Sequence, residues 1–220
     1  MNVKPIKSAD AWTWCLDVHY AGRIPSISYA FGLFYPDLIG IVTYGTPSSS
    51  TLRAGVCGPD LADKVLELNR LAIIDGPDNA ASRLVSGSLR LLPEAVVVSY
   101  ADTAQGHIGY VYQACNFIYT GLSAKRTDWH VEGKEGLHGQ TIADESRGQA
   151  DRAEWMRHKY GDKFSLKDRP RKHRYIYFTG NRRFRKKARK SLLYDVEPYP
   201  KGATRQYTID KLPEIQKTLF

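Results

Sequence analysis

The sequence predicts an α/β fold, with a mixed central sheet flanked by helices and a basic C-terminal α+β extension. Residues 68–122 alternate strand, helix, strand, helix and strand, which is typical of strands joined by crossover helices. The chain has 220 residues, 42% apolar and 25% charged, which indicates one large domain or one domain with an appendage. After residue 122 short β-like pieces follow among glycines, so we place a boundary between a core of residues 1–124 and an extension of residues 125–220.

The first element is a predicted helix over residues 9–20, which Ser8 can cap. Its apolar face would consist of Trp12, Leu16 and His19/Tyr20, which are four and three residues apart.

Residues 26–35 and 38–44 read as two strands, and the turn chemistry of Pro36-Asp37 predicts a hairpin between them. The Ser/Thr/Gly/Pro-rich residues 45–55 predict a loop, and residues 59–66 a short helix.

The strongest α/β pattern follows. Residues 68–74 predict a strand, and Asp78 or Asn79 can cap a helix that runs to about Leu92. Residues 95–101 form a nearly unbroken apolar run, which favours a central strand buried on both faces. A helix over residues 104–115, with Tyr112 and Cys115 inward, and the strand FIYTGL complete the core.

The extension contains a predicted helix over residues 145–160 and the strand RYIYFT. Asn181 can cap a basic helix that ends near Leu192. Residues 163–190 hold thirteen Lys or Arg and one acid, a net +12, whereas the rest of the chain is net −3. Such a segment favours polyphosphate binding, most simply to DNA. The alternative is a solvated basic face or a disordered tail, against which the interleaved aromatic residues argue.

Cysteine content and hydropathy restrict the cellular setting. Cys15, Cys57 and Cys115 are an odd number without CxxC spacing, which fits a reducing cytoplasm and argues against a structural zinc site. The N-terminus lacks the apolar core of a signal peptide, and no apolar run is long enough to span a membrane. We therefore expect a cytoplasmic protein without a membrane partner.

Three sets of residues could carry chemistry. The loop DGPDNAAS opens a helix after a strand, and its free amides could hold a pyrophosphate, although every helix has such an end. Asp102 ends the central strand, where a raised pKa would suit a general base, or it could simply cap the next helix. Tyr112 could act as a general acid or pack in the core. The end of the first predicted helix carries His19, Tyr20 and Arg23. These residues could form a functional site, or they could pack in the core and cap the helix.

These blocks together resemble a known family. HYAGR, LNRLAIIDGPDNAASRLVSGSLRLL, VVVSYADTAQGHIGYVYQACNFIYTG and KHRYIYFTGNRRFRKKARKSLLYDVEPYPKG occur in the order found in the phage Mom family of DNA adenine-modification proteins. The resemblance implies a GNAT-like (acetyltransferase) fold and a product in which adenine N6 carries a carbamoylmethyl group, which protects phage DNA from host restriction.

The resemblance also implies cofactors and site residues. Acetyl-CoA or coenzyme A would bind at Ile73, Asn79, Ala80, Ala81, Ser82 and Arg83, although the usual GNAT loop pattern is degenerate here. His19, Tyr20, Asp102 and Tyr112 would be catalytic, with Tyr112 protonating a departing thiolate. Iron is also associated with the family, but its ligands in this sequence are unknown. The scattered histidines, which are His107, His130, His138, His158 and His173, show no HxH or HxxxH spacing, and a carboxylate–histidine site drawn from distant segments, for example His19 and Asp102, stays open.

The predicted partner is double-stranded DNA with a flipped adenine, because N6 is paired within the duplex. Trp129, Tyr20 or Tyr29 could stack on that base. The residues expected to bind DNA are Arg23, Lys172, Arg174, Arg182, Arg183, Lys186 and Lys187. The oligomeric state stays open between a monomer and a homodimer. Two alternatives also stay open: a GNAT-type N-acetyltransferase acting on a protein or small-molecule amine, and a DNA-binding protein without catalysis.

Overall fold

The computed structural model describes residues 1–74, 76–137 and 139–202, so His138 and the first residue of the DGPDNAAS loop lie outside the described residues. The described chain forms two compact units, one of residues 1–122 together with 172–202, and one of Ser123–Arg171. This division differs from the predicted one at residue 124, because the chain returns to the first unit at Lys172.

The first unit contains a seven-stranded mixed sheet flanked by helices, which confirms the predicted mixed α/β class. The strands of the two units, numbered along the chain, are β1 Asn2–Pro5, β2 Tyr29–Phe34, β3 Leu38–Gly45, β4 Val65–Ile73, β5 Val96–Asp102, β6 Ile118–Leu122, β7 Arg126–Val131, β8 Phe164–Arg169 and β9 Lys172–Phe178. The order in the large sheet is β1-β2-β3-β4-β5-β9-β6, and among the described strands β4–β5 is the one parallel pair.

The α-helices are α1 Ser50–Cys57, α2 Ala80–Leu91, α3 Tyr110–Ala114, α4 Gly139–Asp144, α5 Arg152–Tyr160 and α6 Arg182–Lys190. Two predictions are confirmed closely. The β2–β3 hairpin turns at Pro36-Asp37, and α2 joins the parallel strands β4 and β5 as a crossover. Among these described helices, none has the length and apolar character that a membrane span requires.

The predicted helix over residues 9–20 is helical over residues 8–18 but irregular, and its buried face is only partly the predicted one, because His19 is buried and Trp12 and Leu16 are not. The segment is a 3₁₀ turn at Ser8–Ala11 and a π-helical turn at Trp14–Val18. Ala11 and Cys15 are fully buried, whereas Trp12 and Leu16 are half exposed. The small side chains face the sheet because they let this segment pack closely on Ala30, Ile41 and Ala72.

Two further local predictions need correction. Ser49, which was assigned to a loop, caps α1 by accepting a hydrogen bond from the Leu52 amide at 3.1 Å. The predicted helix over residues 104–115 is split into a 3₁₀ turn at Thr103–Gln105 and α3, because Gly106 and Gly109 adopt φ of 67° and 84°.

The sheet separates two apolar layers. Val97, Leu66 and Leu68 project toward α2, and they share a core with Tyr112 and Tyr175. Val96 and Val98 project to the opposite face, toward α1 and α6. Because side chains alternate along a strand, Ser99 and Ala101 belong to the α2 face, and Tyr100 and Asp102 to the α6 face.

The position of strand β9 between β5 and β6 was not predicted from the sequence. This strand pairs antiparallel with β5 from Val96–Phe178 to Asp102–Lys172, and with β6 on its other side. Part of the predicted basic extension, which we expected to pack on the core, therefore supplies a strand inside the sheet of the first unit, and the basic segment is divided between the two units.

The second unit is built on the antiparallel β7–β8 ribbon and the helices α4 and α5. Val131, Ile142 and Met156 form its core. At its surface, Glu145 accepts hydrogen bonds from Lys134, Lys159 and Tyr160 at 2.7, 3.0 and 2.5 Å. These donors lower the pKa of Glu145 to about 2.

Candidate functional site

The central feature of the first unit is an opening in the sheet between β4 and β5. Their parallel pairing runs from Val65–Val96 to Leu68–Ser99, yet β4 continues to Ile73 and β5 to Asp102. Beyond Leu68 and Ser99, β4 pairs only with β3, and β5 only with β9. The strand ends therefore flank a gap at the carboxyl edge of the parallel pair, where ligands of α/β sheets bind.

A bulge in β4 places Arg70 beside this gap. Thr43 pairs with Arg70 and Tyr44 with Leu68, so Asn69 is an extra residue in β4. Asn69 donates to the Ser26 carbonyl at 2.8 Å, and Arg70 donates to the Arg23 carbonyl from both Nε and Nη2, at 3.3 and 3.1 Å. The bulge thus anchors the loop that follows His19 and Tyr20.

His19 is 9% exposed and directly follows the π-helical turn. Its Nδ1 accepts a hydrogen bond from the Ala21 amide at 3.1 Å, and its ring stacks on Tyr20 with centroids 4.4 Å apart. Burial, reinforced by the positive charge of Arg70, lowers the pKa of His19 to about 4. The imidazole is therefore neutral at pH 7 and carries its proton on Nε2, which makes it a hydrogen-bond donor at that atom.

Tyr20 connects His19 to the end of β5. Its ring meets the edge of His107 at a centroid distance of 6.3 Å, and burial together with the Asp102 carboxylate raises the pKa of its hydroxyl. Burial also lowers the pKa of His107. At pH 7 this part of the site therefore presents a neutral phenol and a neutral imidazole.

Asp102 is held by donors on both carboxylate oxygens. Lys172, its register partner on β9, donates to Oδ2 at 2.6 Å, and the Ala104 amide donates to Oδ1 at 3.0 Å. The capping alternative is therefore confirmed, because Asp102 caps the 3₁₀ turn. Its side chain keeps 13% of its surface exposed, and each oxygen retains a lone pair for a further donor.

Tyr112 lies on the opposite, α2 face of the sheet. It is 8% exposed, its hydroxyl interacts with the Ser99 side chain, and it packs against Phe117 and Tyr175 with ring centroids 5.4 and 5.3 Å away. Burial strongly raises its pKa, so its hydroxyl stays protonated at neutral pH. Ser99 is the last β5 residue that pairs with β4, so this hydroxyl reaches the sheet where the gap begins. Cys115 is buried with its pKa raised to about 11, which makes it inert.

The residues predicted to bind coenzyme A lie at the end of β4 and in the first turn of α2. Asn79 is the N-cap residue, but its side chain makes no capping bond, and Arg83 is exposed. The Ala80 amide donates to the Pro77 carbonyl at 2.8 Å, which leaves the amides of Ala81 and Ser82 without acceptors inside the helix. The methyl groups of Ala80 and Ala81 are buried in the core, so their small size serves helix packing as well as backbone access.

The cations predicted to bind DNA have different surroundings. Arg174 donates to the Thr120 hydroxyl and carbonyl at 2.9 and 2.8 Å and covers the Tyr194 ring, and Lys172 is paired with Asp102. Arg23 contributes its carbonyl to Arg70. The four on α6 are exposed, and they are Arg182, Arg183, Lys186 and Lys187.

Sequence reasoning missed Arg70, Ser99 and His107 as parts of this arrangement. One signal was available: Arg70 interrupts the apolar run LNRLAII, and a charged residue inside a buried strand requires a partner. The partner itself, a loop carbonyl 47 residues away, has no local pattern.

Among the residues that the structure describes, no group of three or more His, Cys, Asp or Glu side chains could hold a metal ion. In this site His19 has one ring nitrogen, Nε2, that is not used by the bond to the Ala21 amide, and Asp102 is held by Lys172 and the Ala104 amide. Iron binding stays a prediction, and we assign no step to iron.

Comparison with known proteins shows the family of this chain. The profile of the Mom protein family matches residues 1–201. The methylcarbamoylase Mom of Escherichia phage Mu is 35% identical over 197 residues, covering 83% of this chain and 76% of its own length. The chain therefore belongs to the Mom family.

Proposed function

We propose, from this family membership, that the protein is a phage DNA-modifying transferase that attaches a carbamoylmethyl group to N6 of adenine and thereby protects phage DNA from host restriction. The observation that carries the proposal is the gap between β4 and β5, which has Tyr112 on one face and Tyr20, His19 and Asp102 toward the other. Proton donors and an acceptor thus surround an opening in which two reactants could meet. Phage DNA in an infected cell lies in the host cytoplasm, which we propose as its location.

The gap suits a GNAT-like use of acetyl-CoA or coenzyme A. Beyond Leu68 and Ser99, the facing edges of β4 and β5 are not paired with each other. Their backbone groups can therefore form hydrogen bonds with a pantetheine arm. We propose that Ile73, at the end of β4, borders this arm, and that the pyrophosphate lies on the first turn of α2. There Asn79, Ala80, Ala81 and Ser82 offer backbone amides, and exposed Arg83 adds a positive charge.

The proposed roles follow from protonation state. The new bond joins N6 to the methylene carbon of the carbamoylmethyl group, so one N6 proton leaves and a donor of the class X–CH2–C(O)NH2 releases its leaving group X from that carbon. Acyl transfer from acetyl-CoA alone would join N6 to a carbonyl carbon instead, so it does not give this product. Asp102, fixed by Lys172, is the proton acceptor, and neutral Tyr112 is the donor to the leaving group. The Nε2 proton of His19 is available to orient an acceptor on the substrate.

The nucleobase must leave the duplex to reach this gap. Tyr20 is 44% exposed and already stacked on His19, so its free face can stack on an extruded adenine. Flipping costs a few kcal/mol, which contacts between DNA phosphates and exposed cations would offset. We propose that one face of the helix α6 supplies most of these cations.

The test is nucleoside mass spectrometry of DNA from cells that express the protein with its cofactor supply confirmed. Wild type should give deoxyadenosine carrying a carbamoylmethyl group, and the DNA should resist restriction enzymes that cut at adenine-containing sites. Asp102→Asn should lower the yield by about 10²–10⁴-fold. The matched control Asp60→Asn, at an exposed aspartate away from the gap, should retain it.

Two outcomes would contradict the proposal. Unmodified DNA in the presence of soluble wild-type protein would remove the activity. An N-acetylated protein or small-molecule amine, without a DNA product, would establish the acetyltransferase alternative that the same gap allows.

A further inference from the structure

The helix α6 combines a buried anchor with an unusually dense positive surface. Asn181 caps it by accepting a hydrogen bond from the Phe184 amide at 2.9 Å, and Phe184 and Ala188 pack into the core. Its other seven residues are all exposed Lys or Arg: Arg182, Arg183, Arg185, Lys186, Lys187, Arg189 and Lys190. Among the described residues, none of the ion pairs involves one of these seven.

This arrangement costs stability in the isolated chain. Like charges three and four residues apart repel each other on a helix surface, and cations in the first turn oppose the helix dipole. Arg182, Arg183 and Arg185 lie in that first turn. Binding of an anionic partner would neutralise these charges and remove the repulsion between them. The cluster is therefore typical of a surface that binds an anion.

The seven cations divide into two sets on different faces of the helix. Spacings of three, four and seven residues place the first set on one face, and this groove face consists of Arg182, Arg185, Lys186 and Arg189. The other face carries Arg183, Lys187 and Lys190.

The groove face borders a groove of about 400 Å³ on the first unit. The buried or half-buried apolar residues of its lining, here named the groove floor, are Ile118, Ile176 and Phe178. The nine described residues that line the groove include no Asp or Glu. A row of cations over an apolar floor suits a sugar–phosphate strand, because the phosphates meet the cations while the sugar edges lie on apolar surface.

We infer that this groove holds the phosphodiester backbone of DNA at a fixed distance from the modified base; the inference rests on the proposed function. Along β9, Ile176 and Phe178 are four and six residues from Lys172, which pairs with Asp102. At about 3.3 Å per residue the groove floor lies about 13–20 Å from Asp102. At about 3.4 Å per base pair, this distance corresponds to about four to six base pairs.

The first experiment compares two variants that each lose three positive charges. The groove variant is Arg182→Gln/Arg185→Gln/Lys186→Gln, and its control is Arg183→Gln/Lys187→Gln/Lys190→Gln. Binding to a fluorescent 25-base-pair duplex is measured against salt, with thermal melting as a check on folding. The groove variant should lower the slope of log K against log salt by about 2.7 and weaken binding at 0.1 M salt by about 10²-fold or more. The control should change the slope by less than about 1.

The second experiment places single neutral methylphosphonates along the duplex relative to a target adenine. Substitutions about four to six base pairs away should weaken wild-type binding, and the groove variant should be insensitive to them. Equal slopes for the two triple variants, a uniform response along the duplex, or equally tight binding of a free mononucleotide would each overturn the inference.

Both experiments measure binding without turnover, so they are separable from the proposed activity. Wild-type protein that binds with the expected pattern but leaves DNA unmodified would contradict the proposed function and support the groove. Modified DNA with equal salt slopes for the two variants would contradict the groove alone.

Discussion

The buried imidazole of His19 should make the protein acid-sensitive over a defined pH range. Its pKa falls from 6.5 to about 4 on folding, because burial and the nearby charge of Arg70 disfavour the imidazolium. Above pH 6.5 neither state binds the proton, and the histidine has no effect on stability. Between pH 6.5 and about 4 only the unfolded state binds the proton. As the pH decreases through this range, the free energy of unfolding therefore falls by about 1.4 kcal/mol per pH unit, a total of about 3 kcal/mol.

His19→Asn removes this titration and offers an acceptor to the Ala21 amide. Urea unfolding at several pH values should therefore give a shallower loss of stability for the variant than for wild type over this range. The exposed-histidine control His158→Asn should follow wild type. NMR titration of the wild-type imidazole measures the pKa directly. A His19 pKa near 6.5, or parallel pH slopes for wild type and His19→Asn, would refute the reasoning.

Two further predictions concern the framework of the site. Arg70→Met should lower the free energy of unfolding by about 1–3 kcal/mol, because the Arg23 carbonyl loses its charged donor. Arg70→Lys should lose only part of that stability, because an ammonium keeps the charge but cannot supply two parallel donors. A lysine variant as stable as wild type in urea would contradict this. Gly109→Ala should destabilise more than Gly106→Ala, which we expect to cost about 1–2 kcal/mol; both glycines have positive φ, of 84° and 67°, but only at Gly109 would a Cβ collide with the buried Tyr175 ring. Equal melting temperatures of the two variants would exclude that collision.

The elements that were predicted well have local causes. The turn at Pro36-Asp37 and the Asn181 cap of α6 depend on residues within four positions of each other, and the structure shows both. The apolar run in β5 also identified a central strand. The failures have local causes too: Ser49 was read as loop although it caps α1, and Gly106 and Gly109 interrupt what periodicity read as one helix.

Other features depend on contacts between distant residues. The π-helical turn at Trp14–Val18 buries Cys15 instead of Leu16, which the periodicity predicted to be buried. The cause is packing against Ala30 and Ala72, which are distant in sequence. The Asp102–Lys172 pair requires β9 to lie beside β5, across 70 positions of sequence. Asp102, Tyr112 and the His19–Tyr20 pair could be selected from sequence, but the gap that brings their strands and loops together could not.

The position of β9 also constrains how the chain can be made. During synthesis, β5 leaves the ribosome when only one of its two neighbouring strands, β4, has been made. The other neighbour, β9, follows after about 70 more residues, which include the whole Ser123–Arg171 unit. Until then β5 and β6 each present an open edge, the kind of surface that recruits chaperones or starts aggregation. A truncated product ending near residue 124 would keep those edges permanently, so we expect premature termination to yield insoluble protein rather than a smaller working enzyme.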